Sequence, residues 1–237
     1  MATLHIQYKP GQHAPLDGLI AIAPWQLAAI PEPLRAHSIQ VDNWTLPRVA
    51  DVAAGVRLRA QHGIDDDVFL LGALGRTERS KGLDVLIEAF RRADLPNARL
   101  AIVGQGREWK ALRKQAGCAV LMPGFADQPQ DWLAAFDGFV SAARSEPFGL
   151  VLLEAMQAGL PIVASASQGA QYLAAQLHTL VPVEDADALA AALRRMVQAG
   201  RHRVAYAMDA FRIEAKLPQI EAFYRDGIAR QTGRQQS

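Results

Sequence analysis

Two pairs of charged side chains have the spacing of a ligand-binding site. In the first pair, Arg76 directly follows the apolar run VFLLGALG, and Lys81 stands just before a stretch of helical periodicity. Two fixed cations in one strand-to-helix loop suit a diphosphate, whose charge otherwise needs a metal ion. A solvated basic loop explains the same spacing equally well. The loop has no G-x-x-x-x-G-K-S/T sequence, so it is not a Walker phosphate loop.

The second pair is Glu146 and Glu154, which flank a predicted helix start. The free amides and positive dipole end of such a helix form an anion site. Glu154 falls in an otherwise apolar helical sequence, where we expect burial, and an unpaired buried carboxylate is costly. Either a pair of ligand hydroxyl groups or a guanidinium, for which Arg144 is the candidate, satisfies such a carboxylate. The sequence pattern leaves both interpretations open.

The composition excludes several functional classes. The chain has 237 residues, of which 50% are hydrophobic, and a formal net charge of +1. This is too apolar for a disordered chain and too neutral to indicate a nucleic-acid partner. The single cysteine excludes an internal disulfide framework and a cysteine metal cluster, and the six histidines show no metal spacing. No secretion signal or membrane-spanning run is present, so we expect a cytoplasmic protein.

The middle of the chain alternates short apolar runs with helical patterns. This alternation predicts an α/β fold, a Rossmann-like doubly wound parallel sheet with right-handed crossovers. Ligands of such sheets lie beyond the carboxyl ends of the strands, where both charged pairs fall. The predicted strands are 68–75, 99–103, 119–122, 138–141, 161–165 and His178–Pro182, and the predicted helices are 83–92, 107–116, 130–136, 149–158 and 169–176.

The two ends of the chain have a different pattern. We expect residues 1–16 to be irregular and a polar, Ala-rich stretch up to His62 to separate the first segment from the main sheet. The other elements predicted here are strands at 19–23 and 39–41 and helices at 25–36, 186–199, 204–211 and 217–229.

The segment SEPFGLVLLEA, residues 145–155, resembles the E-x7-E signature of GT-B glycosyltransferases of the large retaining family called group 1 or GT4. Further segments resemble the motifs of that family in the same order, and the resemblance extends from about Asn43 to Pro182. These segments are FLLGALGRTERSKG (69–82), LAIVGQG (100–106), PGF (123–125), AFDGFV (135–140) and GLPIVA (159–164).

The resemblance implies a nucleotide-sugar site in this part of the chain. Arg76 and Lys81 would hold the diphosphate and stabilise the leaving group without a metal or other cofactor. Glu146 would contact hydroxyls of the donor sugar, and Glu154 would accept hydrogen bonds from the ribose. The other implied donor contacts are the amides of Phe148, Gly149 and Leu150, the residues Gly124 and Phe125 beside the base, and the turns at Gly75 and Gly104.

The implied reaction is the transfer of a hexose from a UDP-sugar, with retention of configuration, to a lipopolysaccharide or another surface glycan. The implied mechanism is a front-face displacement, in which charge accumulates on the departing diphosphate. Ala142-Ala143 replace the usual Pro-Ser, and Tyr172 stands near an expected Glu, an ending similar to lipopolysaccharide-core glycosyltransferases. These differences leave the sugar open, and the base is also undetermined.

The resemblance also implies a domain organisation. Residues 1–44 correspond to the end of an N-terminal acceptor domain, residues 45–215 to the nucleotide-sugar-binding domain, and residues 216–237 to a C-terminal crossing helix and tail. Most of the acceptor domain is therefore expected to be missing, through truncation, a late start or a misassigned start. The alternative function is a nucleotide-binding fragment without transferase activity of its own. An NAD enzyme is disfavoured, since Trp109 occupies the position of the third fingerprint glycine.

Two kinds of partner surface follow from these expectations. Apolar positions of the C-terminal helix would lack their usual cover, which predicts a homodimer or an exposed patch. These positions are Leu217, Ile220, Phe223 and Tyr224. A basic cluster at 194–203 permits peripheral contact with the inner membrane, but a solvated face is favoured there.

Overall fold

The computed structural model describes residues 1–5, 7–46, 51–177 and 179–235. The chain divides into two compact units, residues 1–46 with 208–237, and residues 47–207. The strands are β1 (Ala2–Leu4), β2 (Leu19–Ala21), β3 (Ile39–Gln40), β4 (Phe69–Leu74), β5 (Ala98–Val103), β6 (Val120–Gly124), β7 (Gly138–Ser141), β8 (Ile162–Ser165) and β9 (Thr179–Val181). The helices are α1 (Pro10–His13), α2 (Pro24–Ala28), α3 (Val52–Gln61), α4 (Leu83–Ala93), α5 (Trp109–Ala116), α6 (Pro129–Ala135), α7 (Leu150–Gln157), α8 (Gln168–Tyr172), α9 (Ala186–Gln198) and α10 (Ile213–Gln235).

The larger unit is built on a six-stranded sheet with the order β6-β5-β4-β7-β8-β9. Every pairing in it is parallel. The order reverses between β4 and β7, because the chain builds β5 and β6 on one side of β4 and then returns to the other. This confirms the predicted Rossmann-like, doubly wound sheet.

Strand β4 is buried on both faces, as its continuous apolar sequence predicts. Leu71 belongs to the core cluster that includes residues of α4 and α9. On the other face, the ring of Phe136 lies so close to Gly72 that a Cβ there would come within about 2.0 Å of it. Glycine is therefore required at this point of the strand, and the packing holds β4 at the centre of the sheet.

The smaller unit has a three-stranded parallel sheet, β1-β2-β3. Successive residues of β2 point to opposite faces, as in any strand. Leu19 belongs to one cluster with Ile30, and Ile20 belongs to another with Phe223 of α10. Helix α10 therefore covers one face of this sheet.

Several predictions for the ends of the chain are wrong. Residues 1–16 are not irregular, because β1 pairs with β2 and α1 follows it. The helix predicted at 25–36 stops at Ala28, since Pro31 and Pro33 cannot continue it, and a 3-10 turn follows at Arg35–His37. The start of the last predicted strand, at His178, lies outside the described residues.

The stretch before His62 is also not a simple separator, because it forms α3. The buried residues of this helix are Ala54, Gly55 and Arg59, so the sequence has no stripe of large apolar side chains. Arg59 donates to Asp137 Oδ2 at 3.0 Å and to the Ala135 carbonyl at 3.1 Å. A buried ion pair thus joins α3 to the segment between α6 and β7.

No helix forms over most of the predicted segment 204–211, where only a 3-10 turn at Asp209–Phe211 occurs. The chain is extended here because backbone and side-chain bonds tie it to the loop before β8. Val204 N donates to the Gly159 carbonyl at 2.8 Å, and the Tyr206 hydroxyl donates to the Leu160 carbonyl at 2.8 Å.

Helix α10 buries part of the apolar face predicted for it. Phe223 is buried, whereas Leu217, Tyr224 and Ile228 are 46%, 42% and 62% exposed. These three residues, the α10 stripe, follow one another at spacings of seven and four and so share one face. No helix among the described residues is both long and apolar enough to cross a membrane.

Candidate functional site

The loops that follow the six parallel strands of the larger unit all leave the same edge of the sheet. The strand order reverses between β4 and β7, and such a reversal opens a crevice between the loops of the two strands. The loop after β4 includes Arg76 and Lys81, and the loop after β7 includes Glu146. The predicted charged residues therefore flank the point where ligands of this fold class bind.

Lys81 and Glu146 are brought together at this point. The Lys81 ammonium donates a hydrogen bond to Oε2 of Glu146, and both side chains are largely shielded from solvent. The two residues are 65 positions apart in the chain, so the tertiary fold brings them into contact. Both are predicted site residues, but their pairing was not predicted.

Gly82 fixes the backbone directly after Lys81. Residues Arg79–Lys81 form a 3-10 turn, and Gly82 has a left-handed φ of 60° before α4 begins. A Cβ at Gly82 would come within about 2.0 Å of the Ala142 carbonyl oxygen after β7. Close contact between the two loops therefore needs glycine at this position.

Arg144 forms the main polar link between the same two loops. Its guanidinium donates two hydrogen bonds of 2.8 Å to Asp84 at the start of α4 and one of 2.7 Å to Glu184 before α9. It also donates to the Arg79 carbonyl, while its backbone amide donates to the Ser80 carbonyl at 2.8 Å. Arg144 was predicted only as a candidate partner for Glu154, whereas these contacts make it an anchor between the two loops.

These charges shift the titration of the groups involved. The Arg144 hydrogen bonds lower the pKa of Asp84 below its usual value, in spite of the opposing effect of partial burial. The hydrogen bonds that Arg144 donates to Asp84 raise the pKa of the Arg144 guanidinium. Arg144 is therefore a permanent cation whose charge is balanced by two carboxylates.

Arg76 has a different environment. Its guanidinium makes an ion pair with Glu78 at 3.0 Å, and its side chain is 75% exposed. An exposed guanidinium on a surface loop is free to change rotamer when an anion binds. Arg76 thus stands at the mouth of the crevice, whereas Lys81 lies deeper.

Close backbone contacts join the turns after β4, β5 and β6. Gly104 has a φ of 133°, and a Cβ there would lie about 2.0 Å from the Gly75 carbonyl oxygen. Gly104 N also donates to the Gly124 carbonyl at 2.7 Å. The three predicted glycines, Gly75, Gly104 and Gly124, therefore form one continuous wall, next to which Phe125 is 71% exposed.

Thr77 holds this wall to the loop of Arg76. Its backbone N donates to the Gln105 carbonyl at 3.1 Å, and its carbonyl accepts from Glu108 N at 2.9 Å. The side chain is fully buried, and its hydroxyl has no hydrogen-bond partner within the described part of the chain. Thr77 was not predicted as part of the site, because a single Thr in a loop gives no local signal.

The loop after β7 leads into α7 through Phe148 and Gly149. Phe148 is buried, and Gly149 takes a left-handed φ of 95° as the residue before the helix, without a side-chain cap. The first turn of α7 therefore leaves amides for an anion. The helix begins at Leu150, whose side chain is 45% exposed.

Glu154 does not have the predicted burial. Its side chain is exposed, while the neighbouring Leu153 and Ala155 face the core. The helix turns Glu154 away from the core, because residues one position apart lie about 100° apart around a helix. Because Glu154 is exposed, its carboxylate does not need a partner to offset the cost of burial. Its contact with the ribose stays a prediction from the resemblance.

The assembled site is a crevice with one shielded ion pair, one exposed guanidinium, a glycine wall and the amino end of a helix. Such a site suits an elongated anion that also presents hydroxyl groups. The described residues contain no group of three or more His, Cys, Asp or Glu side chains that could hold a metal ion. Metal independence itself stays a prediction.

Comparison with known proteins matches this region to one family. The sequence model of the family "Glycosyl transferases group 1" matches residues 57–211. The chain is 33% identical over 146 residues to the lipopolysaccharide core biosynthesis glycosyltransferase LpsE of Rhizobium meliloti (strain 1021), covering 59% of this chain and 42% of that protein. It is 32% identical over 214 residues to a phosphatidyl-myo-inositol mannosyltransferase of Mycolicibacterium smegmatis, covering 82% of this chain and 52% of the relative. The chain thus spans about half the length of these curated relatives.

Solved structures share the fold. The crystal structure of WaaG, a glycosyltransferase involved in lipopolysaccharide biosynthesis, superposes with a TM-score of 0.63 at 27% identity, covering 76% of this chain and 53% of that one. Anabaena HepE, in complex with UDP and glucose, superposes with a TM-score of 0.71 at 22% identity, covering 83% of this chain and 61% of that one. The second likeness establishes the fold alone.

Proposed function

The chain belongs to the group 1 glycosyltransferases, and we propose that its crevice between the β4 and β7 loops binds the nucleotide-sugar donor of such an enzyme, a UDP-sugar. The observation that supports this most is the contact of Lys81 with Glu146 at the strand-order reversal. There Lys81 provides a cation for the diphosphate, and the adjacent Glu146 provides an acceptor for sugar hydroxyls. UDP is also the nucleotide in the HepE structure of the same fold.

The same pair suggests how the donor is received. A diphosphate carries more negative charge than one carboxylate, so it competes with Glu146 for the Lys81 ammonium. When Lys81 turns to the phosphates, Glu146 becomes available to accept hydrogen bonds from the donor sugar. Arg76 at the mouth of the crevice then adds a second positive charge to the diphosphate.

The proposed chemistry is hexose transfer with retention of configuration to a lipopolysaccharide or another surface glycan. Negative charge grows on the diphosphate as its bond to the sugar breaks. Lys81, Arg76 and the first amides of α7 are aimed at that charge, and preorganised donors of this kind stabilise a transition state more than a ground state. This lowers the barrier to the departure of UDP.

The proposal is tested by calorimetric titration of the full chain with UDP in EDTA, with GDP and NAD as comparison ligands. We expect UDP to bind at micromolar concentration or below without added metal. Arg76→Ala should weaken binding by roughly 1.5–3 kcal/mol, the cost of a lost bond to a charged group. Lys81→Met should weaken binding at least as much.

Arg91→Ala is the matched control for Arg76→Ala. Both arginines are highly exposed, and each pairs with one nearby glutamate, but Arg91 lies near the far end of α4. Its loss should leave UDP affinity unchanged. Undiminished UDP binding in both Arg76→Ala and Lys81→Met would contradict the assignment of these residues. Tighter binding of GDP than of UDP would show that the donor nucleotide contains guanine instead of uracil.

A second candidate is a nucleotide-binding fragment that does not transfer sugar by itself. It is favoured by the length of the match, since the chain spans about half of its relatives. Both candidates predict UDP binding, so hydrolysis or transfer of a UDP-hexose distinguishes them. Turnover that Lys81→Met abolishes supports the enzyme, and binding without turnover supports the fragment.

A further inference from the structure

Arg144 has many polar contacts within the protein, but none of the donor contacts proposed above is assigned to it. Its side chain is 16% exposed, and its guanidinium is occupied by Asp84, Glu184 and the Arg79 carbonyl. Two carboxylates already balance its charge. Arg144 therefore attracts a diphosphate only weakly. We look for its role in the protein segments that its hydrogen bonds fix in place.

Its contacts enclose Lys81 on both sides along the chain. Before Lys81, Arg144 bonds to the carbonyls of Arg79 and Ser80, and after Lys81 it bonds to Asp84. The segment 79–84 is short, so fixing both of its ends fixes the direction in which Lys81 leaves the backbone. Arg144 also lies two residues before Glu146, so the same anchor sets both members of the ion pair.

Glu184 extends this anchor to a third loop. It has a φ of 63°, a left-handed conformation that is unfavourable for a residue with a side chain. In this conformation its carboxylate accepts a 2.7 Å hydrogen bond from Arg144 Nε. The bond offsets the backbone cost, and it leaves Arg144 a single orientation.

We propose that Arg144 is a positioning residue for donor binding: by clamping residues 79–84 to the exit of β7, it sets Lys81 at the distance from Glu146 that the diphosphate requires. The proposal rests on the proposed function. Arg144 touches no donor atom in this proposal and acts only through Lys81. A lysine cannot replace it fully, because an ammonium has three donors rather than the four used here and lacks the planar fork that bonds both oxygens of Asp84.

The test is a double-mutant cycle between Arg144 and Lys81, read by UDP titration of the full chain. Arg144→Met should weaken UDP binding about tenfold, within the usual range for coupled residues of one network. Arg144→Lys should recover part of that loss. In the Lys81→Met background, Arg144→Met should change the affinity less than about twofold, since the residue it positions is already gone.

Arg92→Met is the matched control. Arg92 lies near the end of α4, away from the crevice, and like Arg144 it bonds two carboxylates, one of α4 and one of α9. Its pairs are partly exposed, so Arg92→Met should change stability little and leave UDP affinity unchanged. If Arg144→Met does not fold, Arg144→Lys and Glu184→Gln are measured in the same cycle, since each removes part of the anchor only.

The outcomes separate the two proposals. If the wild-type chain binds no UDP, the proposed function fails. If it binds UDP and the Arg144 variants bind equally well, the positioning role is wrong while the proposed function stands. If Arg144→Met weakens UDP binding equally in the wild-type and Lys81→Met backgrounds, the positioning role is also wrong, because the effect of Arg144 would then be independent of Lys81.

Discussion

At the scale of single residues, charge in this protein is arranged in two layers. Lys81 and Glu146 face the crevice, and Arg144 with Asp84 and Glu184 stands behind them. Lys81 and Glu146 can each take another hydrogen-bond partner, because the ion pair between them is the one strong bond described for either side chain. The rear group cannot exchange easily, since the guanidinium has four bonds to three residues.

The rear group predicts a specific pH dependence of stability. Arg144 lowers the pKa of Asp84 in the folded protein, so the ionised carboxylate stabilises the fold above the unfolded pKa of about 3.9. That contribution is lost as the pH falls through the lower, folded pKa. Asp84→Asn should therefore destabilise the protein at pH 7, by an amount that shrinks steadily below pH ~4.

Urea unfolding of wild type and Asp84→Asn, followed by tryptophan fluorescence from pH 7 to pH 2.5, measures this difference. The Arg144→Met background is the control, because Asp84 has lost its main partner there and the acid dependence should disappear. A destabilisation that stays constant across the whole pH range would show that Asp84 acts without its charge.

At the scale of elements, α3 depends on tertiary contacts rather than on an apolar stripe. Its small residues let the helix approach α6 so closely that a Cβ at Gly55 would meet the Ala134 backbone at 2.8 Å. Asp51 caps the helix by accepting from Ala54 N, which is the one local signal of its start. A further contact comes from Arg59, which donates to Asp137.

Asp137→Ala should cost about 3–5 kcal/mol of unfolding free energy. The side chains of Arg59 and Asp137 are only 9% and 12% exposed, and removal of one partner leaves a buried charge. Asp137 also accepts from Leu70 N at 2.7 Å, so its loss loosens β4 as well. Chemical denaturation at pH 7 gives the value directly.

Arg57→Ala is the control for this ion pair, since Arg57 lies on the same helix and pairs with Asp51, and these two side chains are 68% and 56% exposed. Exposed pairs contribute little, so the variant should unfold like the wild type. Equal effects of the two substitutions would mean that burial does not determine the strength of the Arg59 pair.

At the scale of the whole molecule, the α10 stripe is an exposed apolar surface that could take a partner. Leu217, Tyr224 and Ile228 are exposed on one helix face, while Phe223 beside them is buried. Exposed apolar stripes of this kind mark contact surfaces more often than isolated apolar residues do. A homodimer therefore stays a prediction for this chain.

Light scattering at increasing protein concentration tests this prediction. The wild type should reach the mass of a dimer, and the variant with Leu217→Gln, Tyr224→Gln and Ile228→Gln should stay monomeric. Val52→Gln with Val56→Gln is the control, because these two valines are also exposed but belong to α3. A monomeric wild type at all concentrations would contradict the prediction.

The sequence by itself determined the strands of the larger unit, its helices other than α3, and which loops form the candidate site. Apolar runs and helical periodicity are local properties, and the parallel order places all strand exits at one edge. The predicted and observed strands of the six-stranded sheet therefore agree closely, and both bounds of β7 are predicted correctly. The smaller unit was predicted less well, because β1 and α10 are defined by partners distant in the chain.

Only the tertiary structure decided which charges meet. Arg144 bonds to residues 60 and 40 positions away, and Lys81 pairs with a residue 65 positions away, distances over which no periodic pattern exists. The exposure of Glu154 and the existence of α3 were likewise decided by which helix face meets a neighbour. Hydrophobic patterning is set by each residue and its near neighbours, whereas the pairing of polar groups is set by where the folded chain brings them.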